Sequence, residues 1–432
     1  MERMIKIGRM IIDEAKALGA QTVVCRISES EKKEFNVDGG EFSLMRTLFN
    51  RGVSVTVLKD QRKGSVNINR FDEAAVKAAV RDCIAASESA EPDPAWEYAK
   101  GPAEKQFCSG SPECDTDLLF SRTKELMADI AEKHPKILME QMITSHDFWH
   151  GVFMTSDDIT YYSKTGSYNF SLMYSAHEGD KATSFFGSGI KLAKLDRPVI
   201  ETGFIERELS AIEKQLDPES VQGKFTGPVI MAPSAADVVL GTVLGNFVSD
   251  GSLIDGTSIW KDKLNTQVAD ERITVSLTPS ADWALGSEDY TGEGFPSEDY
   301  DVIKDGKLVS FMLSQYAANK TGGKRCGNTG WNVCVPAGEK SVDEIIAGID
   351  RGVLVLRFSG GQPSPSGEFS GVAKNSFLIE NGKIAKALNE TMISGNVTDM
   401  LMDLRAISSD VLYDGSNAIP YMAFNGVTIS GK

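Results

Sequence analysis

The chain has 432 residues, 41% hydrophobic and 25% charged, which suits two or three soluble domains with ordinary cores. Asp and Glu total 61 against 45 Lys and Arg, a formal net charge of -16, so the basic footprint of a nucleic-acid binder is missing. No apolar run is long enough for a membrane helix, and the start has neither an unbroken apolar segment nor a cleavage site.

Six cysteines spread over this length do not form a small disulfide scaffold. A cytoplasmic, reduced protein is expected, with no membrane or direct nucleic-acid partner.

Met4, Ile7, Ile11, Ile12, Ala15 and Leu18 recur at helical spacing and predict an opening helix stopped at Gly19. TVVCRISESEKKEFNV reads as a strand running into a charged turn or a second strand. GVSVTVLKDQRKGSVNI alternates around Lys59-Asp60-Gln61 as a hairpin does. A second helix follows in FDEAAVKAAVRDCIAAS, with Asp72 as its N-cap. Residues 88–117, rich in Pro, Gly and acids, read as a surface connection. A helix from about 117 to 131 leads into several strands over 136–205, where Lys164-Thr165-Gly166 reads as a short hairpin turn. After the helix in ERELSAIEKQL, the Pro/Gly segment near residue 222 separates a 1–222 α+β domain from a strand-rich 223–432 domain.

In the second half, Asp305-Gly306 and Asn381-Gly382 each stand between β-rich runs and predict type I′ hairpins. SVDEIIAGI and NVTDMLMDLRAIS read as short helices, the second opened by Asn396 or Thr398. PYMAFNGVTISGK reads as strand, Asn-Gly turn and strand. The fold class expected is α+β, antiparallel sheets with packed helices.

GPVIMAPSAADVVLGTVLGNF predicts a strand and then a helix, with Ser234 as N-cap and Asp237 three residues later. Leu240, Val243, Leu244 and Phe247 form its buried stripe, leaving Gly241, Thr242, Gly245 and Asn246 on the other side. Two glycines inside a helix cost on the order of 1 kcal/mol each relative to alanine. They imply close approach, either by the protein's own backbone or by a bound chain.

Three stretches carry a family resemblance. They are RGVSVTVLKDQRKGSVNINRFDEAAVKAAV, GFPSEDYDVIKDGKLVSFMLSQYAANKTGGKRCGNTG and SGGQPSPSGEFSGVAKNSFLIENGKIAKALNETMISGN. In the last, Gly367-Glu368-Phe369-Ser370, the Asn-Gly hairpin and Ser394-Gly395-Asn396 follow in order. Along nearly its whole length the chain resembles the TldD/PmbA proteins, peptidases labelled modulators of DNA gyrase.

The resemblance implies a two-domain fold and a comparison at one helix. TldD-type members carry His-Glu-x-x-x-His on the helix after the Gly-Pro strand, with a cysteine near the C-terminus as a further zinc ligand. There zinc polarises the scissile carbonyl and activates water, with the glutamate as base. Laid onto this chain, the motif falls on Gly241-Thr242-Val243-Leu244-Gly245-Asn246, and the last cysteine is Cys334. Both histidines and the glutamate are replaced, and the C-terminal thiolate is absent. Glycine and valine cannot bind zinc, and threonine is no base at neutral pH.

The chain therefore looks like the PmbA (TldE) type, with no cofactor and no activity alone. It is expected to hold an unfolded peptide for a zinc-bearing TldD-type sibling, as a homodimer or a heterodimer. Gly245, Asn328, Thr329, Glu368 and Phe369 are the candidates for peptide contact. The alternative is a stand-alone homodimeric adaptor that binds peptides without proteolysis. A weaker third reading keeps activity through His146 and His150 in SHDFWHG, although that segment fits a strand or turn better than a helix. His134 and His177 are isolated, and the remaining cysteines read as incidental thiols.

Overall fold

A computed structural model describes residues 1–389 and 391–431. The first half is built on a twisted sheet with a helical cover. Helix α1 (Glu2–Ala17) buries Met4, Ile7, Ile11 and Ala15 and ends before Gly19, whose φ is 89°. Strand β1 (Thr22–Asp38) pairs antiparallel with β2 (Glu41–Lys59), which turns through Asp60 and Gln61, both at positive φ, into β3 (Arg62–Ile68). Helix α2 (Glu73–Ser89) follows, capped by Asp72, whose carboxylate accepts from the Ala75 amide. Together these elements enclose a cluster that includes Ile27, Val55, Val57, Val76 and Val80.

Strand β4 (Ala103–Gly110) and α3 (Thr116–Lys133) precede two long strands, β5 (Ile137–Thr155) and β6 (Ile159–Glu178). The sheet runs β3-β2-β1-β5-β6-β4. Four expectations change here. The charged stretch of β1 is no turn, because its residues stay paired with β2 to Asp38. The 88–117 connection contains β4, held parallel to the sheet edge at β6, a long-range partner that local composition does not reveal.

Lys164-Thr165-Gly166 lies inside β6. A Cβ on Gly166 would stand 2.0 Å from the Ser111 carbonyl oxygen, so this glycine admits the neighbouring chain and makes no turn. At the C-terminus, Ala418–Ser430 is one strand with a bulge at Asn425-Gly426: Gly227 pairs with Val427 but Val229 with Phe424.

Helix α4 (Ile205–Glu213) links to a second, larger sheet. Its centre is Lys224–Met231, antiparallel to Ala418–Ser430 and parallel to Arg351–Ser359, which pairs on with Glu368–Glu380 and then Lys383–Asn389. The Asp305-Gly306 and Asn381-Gly382 turns have positive φ at both residues, as type I′ hairpins require. Glu219–Ser220 pairs with Lys383–Asn389 of this sheet. One apolar cluster joins α3, α4 and strands of both sheets, among them Leu119, Phe170, Leu209, Ile230 and Phe377. The molecule is thus an α+β fold of mainly antiparallel sheets whose halves share packed interior. Among the described residues no helix is long and apolar enough to cross a membrane.

Candidate functional site

Helix α5 (Pro233–Thr242) springs from the central strand Lys224–Met231 and continues into a π-turn over Val243–Phe247, a distortion frequent at functional sites. Its start differs from expectation. Ala232 occupies the cap position, Pro233 fills the first turn, and the Ser234 hydroxyl donates to the Leu356 carbonyl at 2.7 Å. Pro has no amide to satisfy, which lessens the need for a side-chain cap. Asp237 is released from the capping role and stands in a cleft.

The predicted stripe holds: Leu240, Val243, Leu244 and Phe247 are all buried, with Val239 beside them. The opposite face borders a cavity of about 380 Å³ lined by Asp237, Gly241, Thr242, Asn246, Phe358 and Gln362, among others. A Cβ on Gly241 would meet nothing within 4 Å, and one on Gly245 only the Trp331 ring at 3.9 Å. Among the described residues, no backbone beyond the helix's own presses on either glycine. They open space beside the helix.

The fit of a metal to this face is poor. The Thr242 hydroxyl donates to the Val238 carbonyl at 2.6 Å, and the Asn246 amide donates to Ser364 at 3.3 Å and Pro363 at 3.5 Å. Gly241 offers no donor atom. Among the described residues no three His, Cys, Asp or Glu side chains group so as to hold a metal ion. His146 and His150 lie on β5, where four residues span roughly 13 Å; one imidazole binds the Ser111 carbonyl at 2.7 Å and the other stands 3.6 Å from the Glu29 carboxylate. Strand geometry, not helix geometry, keeps them apart. Burial lowers the pKa of both.

Of the five residues expected to touch peptide, Gly245 reaches the helix face beside the half-exposed Trp331. Asn328 is wholly buried and donates to the Glu298 carbonyl at 2.9 Å, so it braces a loop from inside. Thr329 is occupied by Glu288, which accepts from its hydroxyl at 2.7 Å and its amide at 2.9 Å. Phe369 is also interior, edge-on to the cavity-lining Phe358 at 5.8 Å. Glu368 is exposed at the foot of the 360–367 loop, where its carbonyl accepts from the Ser364 amide at 2.9 Å. Gly367 is needed there, at φ 88° with a would-be Cβ 3.0 Å from the Phe247 ring.

Residues that the sequence did not single out complete the cleft. A second cavity of about 570 Å³ shares Ser234 and Asp237 with the first and adds Lys191, Glu208, Asp414 and Ser188. Lys191 donates to Ser416 at 3.0 Å and to the Leu285 carbonyl at 3.1 Å. Burial lowers its pKa, against the opposing pull of Asp414. Asp237 keeps an exposed edge, yet lost solvation and then the Asp414 charge push its pKa up. Glu208 is lifted by burial to about 7, although Ser188 donates to it at 2.5 Å. These groups come from the strand Phe186–Leu192, from α4 and α5, and from the turn at 414–417, so no local motif announces them. Chemically, the joined cavities offer hydrogen-bond donors, acceptors and charge of both signs beside an open helix face.

Residues 223–431 match the PmbA/TldA metallopeptidase C-terminal domain, and residues 23–88 match PmbA/TldA metallopeptidase domain 1. The chain belongs to the PmbA/TldD family. It is 24% identical over 429 residues to the metalloprotease PmbA of Escherichia coli O157:H7, covering 94% of this chain and 90% of that protein. A PmbA homologue of Haemophilus influenzae is 23% identical over 429 residues, covering 95% and 90%. The crystal structure of TldE from Thermococcus kodakarensis superposes with a TM-score of 0.86 at 21% identity, covering 98% of this chain and all of that one.

Two glycines should respond oppositely to alanine. Gly241→Ala gains helix propensity in open space and should stabilise by roughly 0.5–1 kcal/mol, whereas Gly166→Ala should cost about 1–3 kcal/mol through the clash with Ser111; urea titrations of both read this. Glu208 gives a pH prediction. The unfolded chain ionises it near 4.5, while the folded protein keeps the proton to about 7. Its contribution to stability therefore falls as pH rises through that window. Between about pH 5 and about pH 8, the Glu208→Gln variant should lose less stability than the wild type.

Proposed function

We propose that this protein is a PmbA (TldE)-type member without metal chemistry of its own, which holds an unfolded peptide in the cleft beside α5 for cleavage by a zinc-bearing TldD-type sibling. The observation that carries the reading is the helix face itself. Where the family resemblance puts two histidines and a glutamate, this chain has Gly241, Asn246 and Thr242. The hydroxyl and amide of the last two are committed to backbone carbonyls, and the glycine leaves room. An extended chain has unpaired backbone groups to satisfy, and the polar walls around Asp237, Lys191 and Gln362 can meet them. In this reading the division near residue 222 is a domain boundary, and the compartment is the cytoplasm, where cysteines stay as thiols.

The second reading is a peptide-binding homodimer that works without a protease. Residues 41–51 of β2 favour it: they are exposed and, among the described residues, pair with β1 alone.

The test is binding and cleavage of a fluorescein-labelled unfolded peptide. The chain alone should bind without hydrolysis, and addition of a zinc-bearing sibling should turn binding into cleavage. Gly241→Trp, which fills the smaller cavity, should weaken binding at least tenfold, about 1.4 kcal/mol, with the fold unchanged by circular dichroism. Hydrolysis by the lone, metal-free chain, or full affinity in Gly241→Trp, would sink the reading.

A further inference from the structure

A third cavity, of about 340 Å³, lies between α4 and the short helix Val342–Ala347, over the second sheet. Glu208 borders both this cavity and the larger part of the cleft. Leu354, Leu356 and Phe377 of the sheet and Ile346 of the short helix give it an apolar lining. On the α4 side the border runs Arg207, Ser210, Ala211, Lys214, the i, i+3, i+4, i+7 spacing of one helix face. The two middle residues are small, so the space between helix and sheet stays open, while the cations stand roughly 10 Å apart along the axis.

Polar groups gather at the Arg207 end. Tyr421 is only 3% exposed, and among the described residues its hydroxyl has no hydrogen-bond partner. A buried hydroxyl left unmet is costly. Ser188 donates to Oε2 of Glu208, and burial keeps the proton on this carboxyl to about pH 7, so Oε1 can act as a donor. The Arg207 guanidinium lies over the Tyr421 ring, 5.0 Å from its centroid, and gives one nitrogen to Asp410 at 3.1 Å; it has further N–H groups to offer. Asp410 is occupied by Arg207 and by the Val342 amide at 2.7 Å, and the Asp343 side chain is 88% exposed to solvent. What remains free at this end is a set of donors and a positive charge. An anionic oxygen answers all of them.

We propose that this cavity binds a small monocarboxylic acid with an apolar tail, its carboxylate at Arg207 and Tyr421 and its tail between α4 and the helix Val342–Ala347, over Leu354 and Phe377. The volume stands at the small end of ligand cavities, which suits such a molecule and not a macromolecular partner. An amine of the same length would set its charge against the guanidinium, and an alcohol would leave that charge unanswered. This inference does not rest on the peptide-holding reading, and either can fail without the other.

The test is isothermal titration of the full chain at pH 6 with octanoate, octanol and octylamine. Octanoate should bind at one site per chain, and the alcohol and the amine at least tenfold more weakly. Tyr421→Phe removes a hydroxyl that nothing in the chain satisfies, so the ligand-free variant should melt no lower than the wild type, yet octanoate should bind at least fivefold more weakly. Ala211→Phe fills the space between helix and sheet and should abolish binding, with the fold checked by circular dichroism. If Ala211→Phe does not fold, Tyr421→Phe decides alone. No binding of octanoate, octanol binding as tightly as octanoate, or full affinity in either folded variant would overturn the proposal.

Discussion

The burial of one helix stripe determines what the rest of the second half can do. Val239, Leu240, Val243, Leu244 and Phe247 are inside, against the strands 351–359 and 418–430. Five such side chains represent on the order of 10 kcal/mol of burial, an upper figure because unfolded chains already bury some of that surface. A side-chain cap is worth only ~1 kcal/mol, which is why α5 forms with none. The stripe also fixes which residues face the cleft. Gly241, Thr242, Gly245 and Asn246 are not members of that apolar cluster, so the chemistry of this face can change while the stripe stays. A metallopeptidase scaffold can lose its ligands there without losing its helix.

The cleft beside this face has a distinct electrostatic character. Burial and then the nearby Asp414 charge push the Asp237 carboxyl up, Lys191 is tied to Ser416 and a carbonyl, and Glu208 is lifted by burial. Side chains of both signs there, Lys191 beside Asp237, Asp414 and Glu208, can match either end of a polar chain. They offer several dispersed charges and hydrogen-bonding groups where a metal would supply one strong charge. That suits holding a chain better than activating water.

Much of this architecture was legible in the sequence where the controlling interaction is local. Asp72, Asp305-Gly306 and Asn381-Gly382 act through neighbours a few residues away, and the helices and hairpins they predict are present. The α5 stripe was legible because its period is set by the helix alone. Gly166 and Asn425-Gly426 look locally like turns, but the first admits a distant backbone and the second makes a bulge. Strand β4 depends on β6, some fifty residues later, for its pairing. Of the site, the helix face could be read from spacing and resemblance. Asn328 and Phe369 could not be placed inside without knowing what covers them, and Lys191, Glu208 and Asp414 meet Asp237 only after both sheets have packed.

The central claim is that the α5 face holds no metal because its donors are missing or spent. The most direct measurement is the metal content of the purified, untagged chain after incubation with zinc and removal of the excess. The account predicts near-zero zinc per chain, with no change in melting temperature on adding zinc. About one tightly held zinc per chain, with the stabilisation that such binding brings, would contradict it.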